Sequence, residues 1–541
     1  MSGTGADLQR RRFLRDSARY ALLLGATSLP PLAALAGTPG PREDAAPLAR
    51  VRSGRLRGQR EQGVSVFRGI PYGADTRTRR FLPALPEAAW RGVRDASQYG
   101  ASAPQPGGDG PGSEDCLFLN VWTPALRDGG RRPILFYIHG GAYSTGSGSD
   151  PLYDGSALCR RGDVVVVTVN HRLNVFGYLY LGATGDPALA GSGNVGQLDL
   201  VQALQWVRQH AAEFGGDADN ITVFGQSGGG AKIATLMAMP AARGLFQRAW
   251  TMSGQQVTAA GPRAASQRAR IAMQATGAAD VAGLRALSTE ALLAATRARD
   301  PSRVEDTALY FGPVLDHTVL PVHPFWPEAP AQSAGIPMVI GNTRDETRAF
   351  LGNDPANFAL TWDTLPARLE REQYVDLLPS VVIAGYRRLY PHYTPSQVFF
   401  AATTAGRSWR GAVEELEARA RQGAPTWAYQ LDWGSPLDGG RFGAFHTLDI
   451  PLVFDNTHQP GSRTGNGEDA MQVAASMSAA LIAFARHGDP HHPGLPAWER
   501  YALERRQTLL FDRPPRQADD PRGGERELYR QAPFIQRGTF G

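Results

Sequence analysis

The sequence predicts an α/β fold with a mostly parallel central sheet and helices on both of its faces. Short runs of β-branched and apolar residues are typical of buried strands, and each run leads into a polar or glycine-rich turn. Helical periodicity fills the segments between them, and strands that alternate with helices favour a parallel sheet. The predicted strands are residues 134–138, 164–169, 221–224 and 338–340, and the clearest predicted helices are residues 198–210 and 231–239.

Composition excludes several classes of protein. Hydrophobic residues make up 42% of the 541 residues and charged residues 20%, which is too apolar for a disordered chain. The formal net charge is +5, and outside the N-terminus no Arg-rich block forms a basic stripe, so a nucleic-acid partner is not indicated. Lys232 is the only Lys, which we attribute to genome composition. Two cysteines, Cys116 and Cys159, cannot form a disulfide scaffold.

The first 36 residues are typical of an export signal. RRRFLR at residues 10–15 resembles the twin-arginine export motif, and an apolar run follows that ends in an Ala-Leu-Ala cleavage pattern at 34–36. Pro30 and Pro31 interrupt the apolar run, which argues against a membrane anchor. We expect residues 1–36 to be removed and the protein to be exported to the periplasm or beyond. No linker or repeat divides residues 37–541, which are predicted to form one domain.

The segment after the third predicted strand carries a candidate nucleophile. Residues 225–229 are Gly-Gln-Ser-Gly-Gly and lie between a strand and a helix, the context that a G-x-S-x-G nucleophile elbow requires. Glycine neighbours permit a strained turn from which the Ser227 hydroxyl projects, and the helix N-terminus favours developing negative charge. An isolated match of this kind is also compatible with a flexible Gly/Ser turn.

The first predicted strand ends in a turn that is suited to binding an oxyanion. His139-Gly140-Gly141-Ala142 can direct backbone N–H groups toward a neighbouring strand end. Acyl transfer places negative charge on a carbonyl oxygen, which fixed N–H donors stabilise. We predict that the donors are the N–H groups of Gly140, Gly141 and Gly228, and the presence of both turns favours acyl transfer.

A serine hydroxyl also needs a base, and that base needs an orienting carboxylate. Asp345 and Glu346 are adjacent carboxylates that follow the fourth predicted strand, and His446 lies further along the chain. This arrangement has the expected order of serine, acid and histidine. Either carboxylate could supply the acid on this evidence.

Ordered motifs along nearly the whole mature chain resemble those of the type B carboxylesterase family, which has the α/β-hydrolase fold. The resemblance is specific because it rests on many segments in the same order. They are FRGIPY (67–72), SEDCLFLNV (113–121), HGGAY (139–143), RGD with VVVVTVNHRLNVFGYL (161–179), GNVGQLD (193–199), GQSGG (225–229), GNTRDE (341–346), GAFHTLDIPLVF (443–454) and FARHGDP (484–490).

The resemblance implies roles for individual residues. It places the acid on Glu346 and the base on His446, with Asp345 as the alternative acid. Ser253 is similar to a family serine that supports the triad through a hydrogen bond. The resemblance also implies helical cap insertions, which we expect at residues 255–320 and 351–424.

Departures from the family pattern bear on substrate choice. The family elbow usually has Glu and Ala where this chain has Gln226 and Gly228, so a negative charge beside the site is missing. We expect Gln226, like Ser253, to be a supporting residue of the site. Ala103 stands where the family has a Cys that pairs with the equivalent of Cys116, so that disulfide cannot form. The segment 106–112 lacks the Trp with which cholinesterases hold a quaternary ammonium group.

These observations predict a serine carboxylic-ester hydrolase that acts through an acyl-enzyme on neutral, apolar esters, with no metal and no cofactor. The alternatives are an amide or carbamate hydrolase with the same triad, and a non-catalytic binding or adhesion member of the fold. Aromatic residues of the second cap segment are candidates for the substrate pocket or, equally, for the core. They are Trp362, Tyr374, Tyr386, Tyr390, Tyr393, Phe399, Phe400 and Trp409.

Overall fold

The computed structural model describes residues 46–107, 112–301 and 308–536. The predicted export signal at residues 1–36, and the cleavage site that follows it, lie outside the described residues. Two sheets and a series of helices make up the described part of the chain.

Within the described residues there are fourteen strands. They are β1 (Leu48–Val51), β2 (Gly54–Arg57), β3 (Gln59–Glu61), β4 (Val64–Pro71), β5 (Val93–Asp95), β6 (Phe118–Thr123), β7 (Arg132–Ile138), β8 (Val165–Val169), β9 (Gly216–Gln226), β10 (Arg248–Met252), β11 (Met338–Thr343), β12 (Thr426–Leu431), β13 (Gln507–Phe511) and β14 (Arg516–Asp519). Strands β1, β2 and β5 form a small sheet, and the other eleven form the main sheet in the order β14-β13-β12-β11-β10-β9-β7-β8-β6-β4-β3.

The seven strands in the middle of the main sheet, from β13 to β8 in that order, are parallel to their neighbours. Strand β14 at one edge and β6, β4 and β3 at the other pair in antiparallel fashion. The prediction of a mostly parallel sheet is therefore confirmed.

The same part of the chain contains fifteen α-helices. They are α1 (Ser156–Gly162), α2 (Asn174–Tyr178), α3 (Val195–His210), α4 (Gly228–Leu236), α5 (Pro262–Thr276), α6 (Val281–Ala286), α7 (Thr289–Ala295), α8 (Arg348–Leu351), α9 (Leu365–Glu372), α10 (Pro379–Leu389), α11 (Pro395–Thr404), α12 (Arg410–Gln422), α13 (Asp449–Val453), α14 (Glu468–His487) and α15 (Gly523–Tyr529).

Helix α4 differs from its predicted bounds of 231–239. It begins at Gly228, directly after the serine, and ends at Leu236. Its first turn is made of glycines because neighbouring backbone leaves no room for side chains: a Cβ atom on Gly229 would lie 1.9 Å from the Ile138 carbonyl oxygen. A separate short turn begins at Pro240. Proline has no backbone N–H and its ring clashes with the preceding helical turn, so an α-helix does not continue through it.

Alternate residues of the central strands face two separate cores. Ile134, Phe136 and Ile138 of β7 belong to the first core, and Leu135 and Tyr137 belong to the second. A strand that is buried on both faces is expected to be mostly apolar, as β7 is after Arg132 and as β8 is apart from Thr168. The two cysteines are separated in the same way: Cys116 lies in the first core and Cys159 in the second, and both thiols are free and buried.

Both predicted cap segments are helical. Residues 255–320 contain α5 to α7, and residues 351–424 contain α9 to α12. Between α11 and α12 the chain forms a π-helical turn at Ala405–Trp409, a feature that is frequent near functional sites. None of the helices in the described ranges is long and apolar enough to cross a membrane.

Candidate active site

Ser227 lies between β9 and α4 in a strained conformation. Its backbone angles are φ 55° and ψ −125°, in a region that residues with a side chain rarely adopt. The Ser227 N–H donates to the Met252 carbonyl at 2.8 Å, which ties the elbow to the adjacent strand β10. The predicted strand–turn–helix context is therefore present, and the serine opens onto a cavity.

The predicted oxyanion turn lies beside this serine because β7 and β9 are neighbours in the sheet. A Cβ atom on Gly140 would lie 3.3 Å from Ser227 Cβ. Within the described residues, no hydrogen bond engages the N–H group of Gly140 or of Gly141. The N–H of Gly228 opens helix α4, where intrahelical partners are missing. All three glycines line the same cavity.

Gly228 has a steric reason to be glycine. A Cβ atom there would lie 2.1 Å from the Ala142 carbonyl oxygen, so the oxyanion turn packs directly against the backbone of the elbow. With this backbone, an alanine at 228 would require the turn or the elbow to shift.

Glu346 and His446 form a buried pair at the same end of the sheet. The Glu346 carboxylate follows β11 and accepts a hydrogen bond from His446 Nδ1. It also accepts from the Thr343 N–H at 2.9 Å and the Asn342 amide at 3.3 Å. Burial by itself would raise the pKa of Glu346, but the charge and hydrogen bond of His446, with smaller contributions from Ser253 and Thr343, lower it below the ordinary value. The carboxylate is therefore ionised near neutral pH.

Asp345, the alternative acid, points elsewhere. Its carboxylate accepts from the Ala444 N–H at 3.0 Å and forms ion pairs with Arg344 at 3.1 Å and Arg348 at 3.3 Å. These contacts hold the backbone just before His446. Of the two adjacent carboxylates, Glu346 is the one that contacts the imidazole.

Two predicted supporting residues lie beside the pair. The Gln226 amide nitrogen is 3.2 Å from His446 Nε2, and since Nδ1 faces Glu346, the Gln226 N–H donates to the Nε2 lone pair. Ser253 Oγ lies close enough to Glu346 to contribute to its low pKa, although no partner in the described ranges gives it good hydrogen-bond geometry.

A cavity of about 600 Å³ opens over Ser227 and His446. The eight candidate aromatic residues of the second cap segment do not line it. Tyr386, Phe399 and Phe400 pack in a separate core among α9 to α11, as helix-spaced aromatics usually do. The aromatic residues that line the cavity come from scattered parts of the chain: Tyr143, Tyr153, Tyr310, Phe350 and Phe534.

The sequence did not assign a role to several residues of the site. Phe350 lies with its ring centroid 5.0 Å from that of His446, and the Arg407 guanidinium stacks 3.9 Å above the Phe350 ring. No local pattern marks either residue. Lys232 lies under the predicted oxyanion turn. The sequence could have pointed to this residue, because it is the only Lys and closely follows the candidate nucleophile.

In the described ranges, no cluster of three or more His, Cys, Asp or Glu side chains could hold a metal ion. The Glu346 carboxylate bonds instead to His446 and to the Thr343 N–H. What the arrangement offers is a hydroxyl, an imidazole, a carboxylate and free backbone donors around one cavity.

The fold, with a strained serine between a central parallel strand and its helix, defines the class of the α/β-hydrolases. The chain belongs to the carboxylesterase family, whose model matches residues 45–527. It is an ester hydrolase whose substrate is a small-molecule ester, which confirms the predicted family, fold class and reaction.

Individual relatives agree with this assignment. The chain is 37% identical to para-nitrobenzyl esterase of Bacillus subtilis (strain 168), over 88% of this chain and 96% of that protein. It is 35% identical to phenmedipham hydrolase of Pseudarthrobacter oxydans, over 86% and 94% respectively. Among solved structures, a carboxylesterase of Geobacillus stearothermophilus superposes with a TM-score of 0.79 at 40% identity, covering 89% of this chain and 99% of that one.

Proposed function

We propose that the protein is a serine carboxylesterase in which Ser227 is the nucleophile, His446 the base and Glu346 the residue that orients the base. The observation that carries this assignment is the Glu346–His446 hydrogen bond, which lies at the cavity that Ser227 opens onto. The Nδ1 proton faces the carboxylate, so Nε2 is the atom available to accept a proton.

The reaction proceeds in two acyl-transfer steps. Ser227 Oγ attacks the ester carbonyl carbon, its proton passes to His446 Nε2, and the carbonyl oxygen becomes an oxyanion held by N–H groups of Gly140, Gly141 and Gly228. Collapse of this intermediate expels the alcohol, which takes the proton from His446. Water then attacks the acyl-enzyme by the same route and releases the acid.

In the resting arrangement the His446 Nε2 lone pair faces the Gln226 amide. Catalytic hydrogen bonds are often incomplete without substrate and form in the substrate complex. Gln226 thus keeps the imidazole oriented until the Ser227 hydroxyl takes over as donor.

Charges at the cavity support a preference for uncharged esters over cationic ones. Glu346 is the one carboxylate among the described residues that line the cavity, and it is fully buried and already accepts hydrogen bonds from His446 and the Thr343 N–H. Arg407 adds positive charge, and Gln226 is neutral where family members carry Glu. A quaternary ammonium group would meet no compensating anion.

Butyrylcholine has an uncharged isostere, 3,3-dimethylbutyl butyrate. We therefore expect kcat/KM for the isostere to exceed that for butyrylcholine by about tenfold, which is the size of effect that one partly screened charge contact produces. Gln226→Glu should narrow this ratio, because the new carboxylate would line the same cavity. Both esters react by the same chemistry. The ratio of their kcat/KM values within one variant therefore cancels any effect of the substitution on that chemistry. A preference for the cationic ester that persists at high salt would contradict the proposed selectivity.

The reaction class is tested with p-nitrophenyl esters of increasing acyl length, matched amides and carbamates, and labelling by a fluorophosphonate. We expect the esters to be hydrolysed fastest, with covalent labelling at one serine. Faster turnover of amides or carbamates would favour the second enzymatic candidate. Absence of both turnover and labelling would favour a non-catalytic binding protein.

We also propose that the protein is exported through a twin-arginine signal, on the sequence evidence of residues 10–36. The full chain should yield a processed protein that starts near Gly37 outside the cytoplasm. Replacing Arg10, Arg11 and Arg12 together with Lys keeps the charge and removes the motif, so the precursor should accumulate in the cytoplasm. Processing of that variant at an unchanged rate would contradict twin-arginine export.

A further inference from the structure

Lys232, the only Lys of the chain, lies under the oxyanion turn. It follows Ser227 by little more than one turn of α4, and its side chain is fully buried. Its amine donates to two carbonyl oxygens, those of His139 at 3.2 Å and Ala142 at 2.7 Å. These two residues flank Gly140 and Gly141, the predicted oxyanion donors.

Peptide geometry links these contacts to the reacting atoms. In a trans peptide the carbonyl oxygen and the following N–H group point in opposite directions. A carbonyl of His139 that is held toward Lys232 therefore turns the Gly140 N–H away from the amine. The amine lies on α4 and the nucleophile is the residue directly before α4, so one element fixes both the donor and the attacking atom.

A second clamp acts on the next peptide. His139 Nδ1 contacts the Gly140 carbonyl oxygen at 2.9 Å, and since a carbonyl can only accept, Nδ1 carries the proton. Because the peptide is trans, this bond turns the Gly141 N–H away from the His139 ring. The His139 ring stacks on His171, with centroids 4.8 Å apart. Burial and the nearby Lys232 lower the pKa of His139 to about 3, so the ring is neutral.

We propose that Lys232 is a positioning residue for the oxyanion hole: its amine holds the carbonyls of His139 and Ala142 so that the N–H groups of the turn stay directed at the oxygen of the reacting ester. The proposal rests on the proposed function, because it assigns to Lys232 a part in the same reaction.

The clamp does not depend on whether the amine is charged. Burial lowers the pKa of Lys232 to about 7, so both forms are populated near neutral pH. A neutral amine has two N–H donors and an ammonium has three, and two carbonyls need only two. The Tyr143 ring, 5.5 Å from Nζ, can face the charged form.

The close approach at Gly228 agrees with this role. The Ala142 carbonyl that Lys232 holds is the group that would lie 2.1 Å from a Cβ atom at 228. The turn is thus confined from two sides, by the amine and by the elbow backbone. Small displacements of such donors weaken transition-state binding more than substrate binding.

Lys232→Met keeps the aliphatic stem and removes the donors. We expect kcat to fall by about 10- to 100-fold, because misplacing reacting groups by about 1 Å can cost about 100-fold, with KM changed less than about threefold. Binding of a trifluoromethyl ketone should weaken in parallel with kcat/KM. Ser227 Oγ adds to the ketone carbon of this inhibitor, the proton passes to His446, and the ketone oxygen becomes an oxyanion.

Ile233→Ala is the matched control. Ile233 is the next residue of α4, lies in the sheet core and has no side-chain donor, so its truncation destabilises the helix packing without removing a clamp. This variant should unfold at a lower temperature yet retain its kcat and its affinity for the ketone. Equal losses of kcat in both variants would show that Lys232 has only a packing role.

A second measurement uses the unsubstituted protein. Because the chain has one Lys, a ¹³C label at the lysine ε-carbon gives one NMR signal for that residue. We expect the signal to shift when the trifluoromethyl ketone adds to Ser227, and to stay in place in Ser227→Ala, which cannot form the adduct. An unmoved signal upon adduct formation, or an unchanged kcat in Lys232→Met, would overturn the proposal. Failure of the ketone and the fluorophosphonate to modify Ser227 would instead overturn the proposed function.

Discussion

Ser227→Ala is expected to reduce ester turnover by as much as about 10⁶-fold and to abolish labelling by a fluorophosphonate. The reason is that Ser227 supplies the only protein atom in the proposed route that bonds to the acyl group. Labelling is followed by mass spectrometry of the intact protein, and turnover by release of p-nitrophenol.

Ser253→Ala is a matched control for this result. Ser253 is a second serine at the cavity and lies next to Glu346, but the proposed route gives it no bond to substrate. Its variant should still be labelled and should lose much less activity. Unchanged labelling of Ser227→Ala, or loss of labelling in Ser253→Ala alone, would refute the assignment of the nucleophile.

Glu346→Gln should lower kcat by about 10⁴-fold, by analogy with the amide variant of a serine-protease triad. The amide cannot stabilise the imidazolium that forms when His446 takes the serine proton, and it favours the wrong imidazole tautomer. Asp345→Asn should cost no more than about tenfold, because Asp345 binds the Ala444 N–H and two arginines rather than the imidazole.

Comparing the two amide variants separates catalysis from folding. Both replace one carboxylate with an amide of the same size at adjacent positions. Circular dichroism and thermal unfolding of each variant show whether it remains folded. Should Asp345→Asn prove the more damaging of the two in a folded protein, the acid has been assigned to the wrong carboxylate.

Local sequence was sufficient for features that depend on consecutive residues. The elbow around Ser227 and the turn at Gly140 and Gly141 could be predicted because strand, turn and helix follow one another directly in the chain. The parallel sheet followed from apolar strands that alternate with helices. The bounds of α4 were less accurate, since its glycine turn is dictated by the backbone of β7 rather than by helix propensity.

Contacts between distant segments could be predicted from the sequence only in part. Their order along the chain made both Asp345 and Glu346 candidates for the acid that orients His446, and the resemblance to the carboxylesterase family favoured Glu346. Their directions differ in the structure because adjacent side chains at a strand end face different surroundings: one reaches His446, and the other reaches Ala444 and its neighbouring arginines.

The sequence by itself thus determined the fold class, the family and the residues of the elbow and oxyanion turn, since these follow from local patterns and ordered motifs. Only the tertiary structure decided which side chains reach the cavity, that Gln226 donates to His446, and that Lys232 binds two carbonyls of the oxyanion turn. The physical reason is that such contacts depend on the packing of elements against one another, and packing is set by close fit among segments that are far apart in the chain.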